Sequence, residues 1–248
     1  MRANHKAVNY SFSKQIITTV ITLIFTVILF EMTNIDLWVQ DFLYNVETKT
    51  WIINRDDQLT KFIFYDGIKK LFIALILSMT IALIFFKKSK LVPHYKQGLL
   101  IVCISALTVT FTVSALKAIT NVPCPKDISR YGGNYPHITF SKNYPSRFQQ
   151  TEIKRCYPAG HAAGGFSLLS LLFLLKKRKS KIITLISVMG VSWSIGGYKM
   201  LIGDHFLSHT LISMILAWLL ILIIAKAVLS LTSVNFKKGN RHHHSSTQ

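Results

Sequence analysis

Six apolar stretches constrain this chain more than anything else in it. They cover 16–30, 71–86, 98–116, 162–175, 182–197 and 210–231, and half of the 248 residues are hydrophobic. Runs of this kind cannot be solvated, and in lipid every backbone polar group needs an internal partner, which helices supply. The expectation is an all-α polytopic membrane protein with six transmembrane helices. Several stretches are shorter than the ~20 residues that cross a bilayer. Phe12, Trp38, Phe64 and Tyr65 can lengthen them at the interface, where aromatic rings sit well. The stretch at 162–175 is the weakest as a lone span. It is kept because KKRKSK and a further apolar run follow it.

Charge sets the orientation. The chain has 29 Lys+Arg against 10 Asp+Glu, a net charge of +19. Such a balance suggests nucleic acid, but the basic residues fill the short gaps between apolar runs and no nucleic-acid motif is present. They act there as topology signals and contacts for anionic headgroups. Lys87, Lys88, Lys90 and Lys96 lie in one gap, and Lys176, Lys177, Arg178, Lys179 and Lys181 in another. Arg2, Lys6 and Lys14 precede the first stretch; Lys237, Lys238 and Arg241 follow the last. Positive residues stay cytoplasmic, so both termini are expected inside, in a bacterial inner membrane. Segments near 31–70, 117–161 and 198–209 then face the periplasm. The implied organisation is a cytoplasmic N-terminus (1–15), a six-helix domain (16–231) with a periplasmic loop at 118–157, and a basic cytoplasmic tail (232–248). No small-residue cleavage site follows the first stretch, which reads as a retained anchor. The tail HHHSSTQ reads as a solvated end.

Three motifs fall on the outward side, each at the end of an apolar stretch: KAITNVPCP at 117–125, PAGH at 158–161 and KMLIGDHFLSH at 199–209. At PAGH, Pro158 suits a helix start and Gly160 lets a ligand approach the backbone closely. Unpaired N–H groups there, including those of Ala159 and Gly160, attract phosphate. Alone, this is equally a helix-capping turn with an interfacial histidine. A neutral imidazole can attack phosphorus while a second histidine protonates the departing oxygen. His205 is assigned as nucleophile and His161 as general acid. Lys117 and Lys199 would offset charge on the transferring group; the plainer view is that each snorkels to the interface.

Three cysteines are too few for a disulfide scaffold. Cys103 sits inside an apolar run as packing. Cys124 and Cys156 bracket the outward loop and could pair in an oxidising compartment.

These residues resemble the type 2 phosphatidic acid phosphatase/haloperoxidase superfamily, in its membrane-embedded bacterial branch, over about residues 60–230. The family's first motif is Lys, six residues, Arg-Pro; here Lys117 and Pro125 match, and Cys124 holds the Arg position. Its Pro-Ser-Gly-His is Pro158-Ala159-Gly160-His161. Its Ser-Arg, five residues, His, three residues, Asp reads Tyr198-Lys199, His205 and His209. Cys124-Pro125-Lys126-Asp127 through Tyr131-Gly132-Gly133 looks like a known bacterial variant of the family. The resemblance implies a six-helix core, a phosphohistidine at His205, His161 as acid, and no metal or other cofactor. Loss of both Arg positions removes planar bidentate phosphate contacts, which Lys replaces only as a point charge. Arg130 and Arg155 are candidates to supply guanidinium instead. For the missing orienting carboxylate, His209, Asp204 and Asp127 are all candidates, and His209 is counted among the catalytic residues.

The expected activity is metal-independent removal of phosphate from a lipid at the periplasmic face. Lipid A, undecaprenyl diphosphate and glycerophospholipid phosphates are the candidate substrates. A lipid-to-lipid phosphotransferase is the alternative with the same chemistry, and a non-catalytic lipid-phosphate binder the alternative of another class. A transporter is weaker, because no ionisable residue lies deep in a span; Lys226 near the inner end of the last one can snorkel. Expected partners are the lipid substrate and membrane lipids, not nucleic acid. Within 118–157, Lys126, Arg130, Lys142, Arg147, Lys154 and Arg155 alternate with Tyr131, Tyr135, Phe140, Tyr144 and Phe148. That pattern is either an interface-hugging loop or, as favoured here, a headgroup clamp for a strongly anionic lipid such as lipid A.

Overall fold

The computed structural model describes residues 2–86 and 91–245, with side chains over 11–86 and 94–231. Lys87, Lys88 and Lys90, and the end of the tail, lie outside the described residues, as do the side chains of Arg2, Lys6, Lys237, Lys238 and Arg241. The described chain is mostly helical. Among the described residues, five helices are long and apolar enough to cross a membrane. They are α1 (Arg2–Met32), α4 (Ile68–Phe85, continuous with the short α3, Gln58–Lys61, and a π-helical turn), α5 (Leu91–Thr120), α7 (Arg178–Leu201) and α8 (Leu207–Ser245). Their apolar side chains point outward as well as inward: Ile17, Ile21, Ile24 and Phe25 on α1 and Leu71, Leu77 and Phe85 on α4 are exposed. In water that would be an aggregation hazard; against hydrocarbon it is the expected surface.

The fourth stretch departs from an ordinary span. It forms a short helix α6 (Gly160–Ser167) that tightens into a 3₁₀ segment over Leu168–Phe173. At rises of about 1.5 and about 2.0 Å per residue the two together cover roughly 24 Å. Gly160 lies against Lys117 at one end of α5, and Leu174 lies against Gly98 towards the other. The tighter winding lets fourteen residues run alongside α5 between those points. The small residues of GHAAGG explain its central position, since short side chains let neighbouring backbones approach. A Cβ on Gly165 would come within 2.7 Å of Ser192 Oγ on α7. Around α6 the core gathers Val109 and Val113 of α5, Phe166 and Leu169, Val188 of α7, and Ala217 and Ile221 of α8.

The polar connections between these helices meet at one end. Residues 33–57 form α2 (Ile35–Asp41) and a hairpin pairing Tyr44–Asn45 with Thr50–Trp51, which sequence reasoning did not foresee. Gln40 Nε2 donates to Met200 O (3.0 Å), and Ile53 N–H to Leu201 O. Asp36 accepts from Ser208 N–H (2.8 Å) and also from the Ser208 hydroxyl, so α2 caps the first turn of α8. The loop after α5 joins the same layer through Lys126 N–H to Gly203 O (3.0 Å). At the opposite end Lys226 Nζ reaches Ser13 Oγ at 3.0 Å, and Phe173 stacks between Phe12 and Trp218.

Candidate active site

The three motifs close into one ring of contacts. Lys117, in the last turn of α5, lies against Gly160 at the start of α6. Ala159 caps α6 and its N–H donates to His209 O (3.1 Å), tying PAGH to the first turn of α8. Pro158 stands one residue outside that cap rather than within the helix. His161 packs on the Tyr65 ring (4.7 Å between centroids), and Lys199 Nζ lies 4.5 Å from the centroid of the same ring. Lys199 Nζ then meets Asp204 Oδ2 at 3.0 Å, beside His205. His205 Nδ1 faces His209 Nδ1 at 3.4 Å, and both rings are buried.

Local structure explains each position. The π-helical turn Phe62–Gly67 offsets the helix so that Phe64 stacks on Tyr198 (5.4 Å) while Tyr65 stands between His161 and Lys199. Such single-turn widenings recur at functional sites. The turn that carries His205 depends on Gly203, which adopts φ +73°, and a Cβ there would strike the Trp51 ring at 2.3 Å. Asp204 N–H and His205 N–H both donate to Lys199 O, at 2.8 and 3.2 Å.

Asp204 is the electrostatic hub. Arg55 NH2 (2.6 Å), Lys126 Nζ (2.8 Å) and Lys199 Nζ (3.0 Å) all reach its carboxylate. Burial alone would raise its pKa, but the Lys126 hydrogen bond and the Lys199 charge outweigh it and hold the pKa at about 2. Lys117 is close enough to interact with both Asp204 and Lys199. Four cations around one carboxylate leave a positive surplus suited to a phosphate. Burial first, and His209 next, hold the His205 imidazole well below the usual histidine range, so it stands neutral.

Two cavities adjoin the ring. One of about 210 Å³ is an apolar groove between α4, α6 and α7, with Phe64, Phe72, Leu168 and Ile195 on its walls and His161 at its rim. The other, about 280 Å³, is polar and lined by Arg55, Asp56, Lys61, Tyr65, Tyr198 and Lys199. His161 Nδ1 is buried without a hydrogen-bond partner among the described residues.

Several expectations change here. Ala159 does not offer its amide to a ligand, because His209 O takes it; the donors left at that helix start are those of the first turn, which lack intrahelical acceptors. Arg130 does not join the ring. Its fork engages Asp41 of α2 through Nε (2.8 Å) and NH2 (2.7 Å), because α2 brings a carboxylate within bidentate reach. Arg155 is exposed on the loop. The guanidinium that does reach the cluster is Arg55, which sequence reasoning missed; only the folding back of 52–57 onto α7 brings it there. Asp204 binds the cations, and Asp127 accepts from Cys124 N–H (3.1 Å) and Lys154 (3.2 Å). Of the three candidate orienters, His209 is the one that faces His205.

The loop 118–157 also differs from a clamp surface. Tyr135, Tyr144 and Phe148 pack on one another, and Phe140 packs on Tyr157. Three of its six cations are ion-paired: Lys126 with Asp204, Arg130 with Asp41, and Lys154 with Asp127 and Glu152. Ile128 and Tyr131 of the loop are buried in a separate small core with Tyr44 and Phe206. Cys124 and Cys156 form a disulfide with Cα atoms 5.2 Å apart. Together with Asp127 they make a compact Cys–Asp–Cys cluster, but its thiols are used in the cross-link and its carboxylate in the Cys124 and Lys154 bonds.

Comparison with known proteins gives one family. The model of the PAP2 superfamily matches residues 98–232. No curated protein and no solved structure matches the chain.

Proposed function

Because the chain belongs to the PAP2 superfamily, we propose that it removes a phosphate from a membrane lipid by way of a phosphohistidine at His205. Family membership supports a phosphatase or phosphotransferase of lipid phosphates in general. The observation that carries the finer reading is the ring itself: two histidines from different helices and a surplus of cations meet beside an apolar groove.

In this mechanism the lipid tail lies in the groove and its phosphate sits among Lys117, Lys199 and the first-turn N–H groups of α6. His205 attacks phosphorus, and the bond to the lipid oxygen breaks as His161 gives that oxygen a proton. His161 lines the groove, on the side where the leaving lipid oxygen would emerge. Water, with His161 now as base, attacks the phosphohistidine and releases phosphate. Lys117 and Lys199 stabilise charge on the transferring group, as phosphoryl transfer chiefly requires. The phosphate groups of lipid A, undecaprenyl diphosphate and glycerophospholipid phosphates are candidate substrates. The three paired cations of loop 118–157 leave Lys142, Arg147 and Arg155 as its contacts for an anionic headgroup. The site faces the periplasm of a bacterial inner membrane in this proposal, with six crossings and both termini cytoplasmic.

Phosphate release from a panel of lipid phosphates in detergent, with EDTA present, tests it. Wild type should act on at least one, and His205→Ala should lose at least about 10³-fold. Because His205 has a depressed pKa, the nucleophile stays neutral as pH falls past about 6.5, the usual histidine value. The acid limb of kcat/KM should therefore lie below that value. Release that survives His205→Ala would sink the proposal.

A further inference from the structure

Tyr65 divides the surroundings of the ring in two. It lines the apolar groove together with His161, and the polar cavity together with Lys199. The groove suits a lipid tail and excludes water. The cavity is its opposite: Arg55, Lys61 and Lys199 line it against a single carboxylate, Asp56. No histidine of the ring is on its wall, so the transfer itself does not take place there. Its volume of about 280 Å³ is several times the roughly 30 Å³ share of one water molecule. That is room for a hydrated anion.

The cations of this cavity are fixed in place but incompletely engaged. Ile53 N–H donates to Leu201 O (3.4 Å), which holds segment 52–57 on α7. The two oxygens of Asp204 then seat the heads of Arg55 and Lys199 side by side. Arg55 gives one N–H to that carboxylate, and a guanidinium has five to give. Asp57 accepts from Thr60 N–H (2.9 Å) and so starts the short helix that presents Lys61. Lys61 is exposed, and no carboxylate lies within ion-pair distance of it among the described residues. A guanidinium fork beside an ammonium suits a phosphate, the one giving directed bonds and the other a point charge.

We propose that this cavity is a second phosphate subsite, in which Arg55, Lys61 and Lys199 hold a phosphate group other than the one being transferred. It deepens the function proposed above and rests on it for the ring as the place of transfer. Two sources share this chemistry. One is inorganic phosphate released from the ring: the groove is apolar and filled by lipid, so water enters and phosphate leaves on the polar side, with Lys199 facing both. The other is a second phosphate on the same lipid, whose headgroup would then sit astride Tyr65.

Inorganic phosphate titrated into the full-length protein in micelles tests this by calorimetry. It should bind at two sites. Lys61→Glu should weaken one of them about tenfold or more, the loss of one charge-assisted contact, and Lys61→Arg should restore it. Lys117→Ala should weaken the other. Equal thermal midpoints confirm that the Lys61 variants fold. Kinetics then name the source. For released phosphate, Lys61→Glu relieves product inhibition by inorganic phosphate about tenfold. For a phosphate on the substrate, it lowers the preference for the doubly over the singly phosphorylated form of one lipid by about tenfold. A single site that responds to Lys117→Ala, two sites indifferent to Lys61→Glu, or inhibition and preference both unchanged would overturn the subsite. A single site that responds to Lys61 alone would support the subsite and count against the ring. No turnover of any lipid phosphate would count against the proposed function, while the titration would still decide the subsite.

Discussion

Asp204 shows how one residue sets the character of the site. Next to His205, it gathers Arg55, Lys126 and Lys199 and neutralises only one of them. Arg55 is the most accessible member, its side chain 48% exposed. An ion pair so open contributes at most about 1 kcal/mol to stability, and Asp204 keeps two lysines without it. Arg55→Ala should therefore leave thermal stability nearly unchanged. It should raise KM for a lipid phosphate about five- to tenfold with kcat within about twofold, since uniform binding is what a cation outside the reacting ring supplies. An unchanged KM would remove Arg55 from the phosphate site. At positions 124 and 199 the sequence shows that both expected guanidinium groups are gone. It could not show which distant arginine reaches the Asp204 cluster.

Helix α6 makes the corresponding point for elements. Glycines set the spacing of the helices that carry the site. A Cβ on Gly196 of α7 would come within 2.4 Å of Thr210 Cγ2 on α8, whereas one on Gly190 would meet nothing within 4 Å. Lys199 and His209 sit one turn or less from that contact. Gly196→Leu should destabilise the protein by about 1–3 kcal/mol through overpacking and abolish activity. Gly190→Ala should be neutral or slightly stabilising, because Ala is the better helix former. Thermal melts in detergent compare the two; equal midpoints would mean that α7 and α8 do not pack this closely in solution. The π-helical turn before α4 is an element of the same kind. Its widening of one helix puts Tyr65 in the site, and no periodicity in the sequence announces it.

The whole molecule is a bundle with the histidine–lysine ring at one end and packed aromatic and basic residues at the other. The orientation proposed for it has a direct check. Single cysteines introduced at Lys49 and Arg147, both exposed at the site end, should react with a membrane-impermeant maleimide on intact cells stripped of their outer membrane. A cysteine at Arg178, exposed at the far end, should react only after permeabilisation. The native cysteines would interfere little, since Cys103 is buried and the other two are paired. The reverse pattern would put the site in the cytoplasm and exclude a periplasmic substrate.

The sequence by itself determined the class of fold, the family and the two histidines and two lysines of the ring. Long apolar runs admit few structures in lipid, and short motifs keep their spacing whatever surrounds them. The tertiary structure decided what depends on residues far apart in the chain. It gave Arg130 to Asp41, brought Arg55 to Asp204, took the Ala159 amide for His209 O, and turned His209 rather than either aspartate towards His205. Each of those outcomes is a competition among polar groups for partners at about 3 Å. Such competitions are settled by which groups the folded backbone brings within reach, and sequence distance carries almost no information about that.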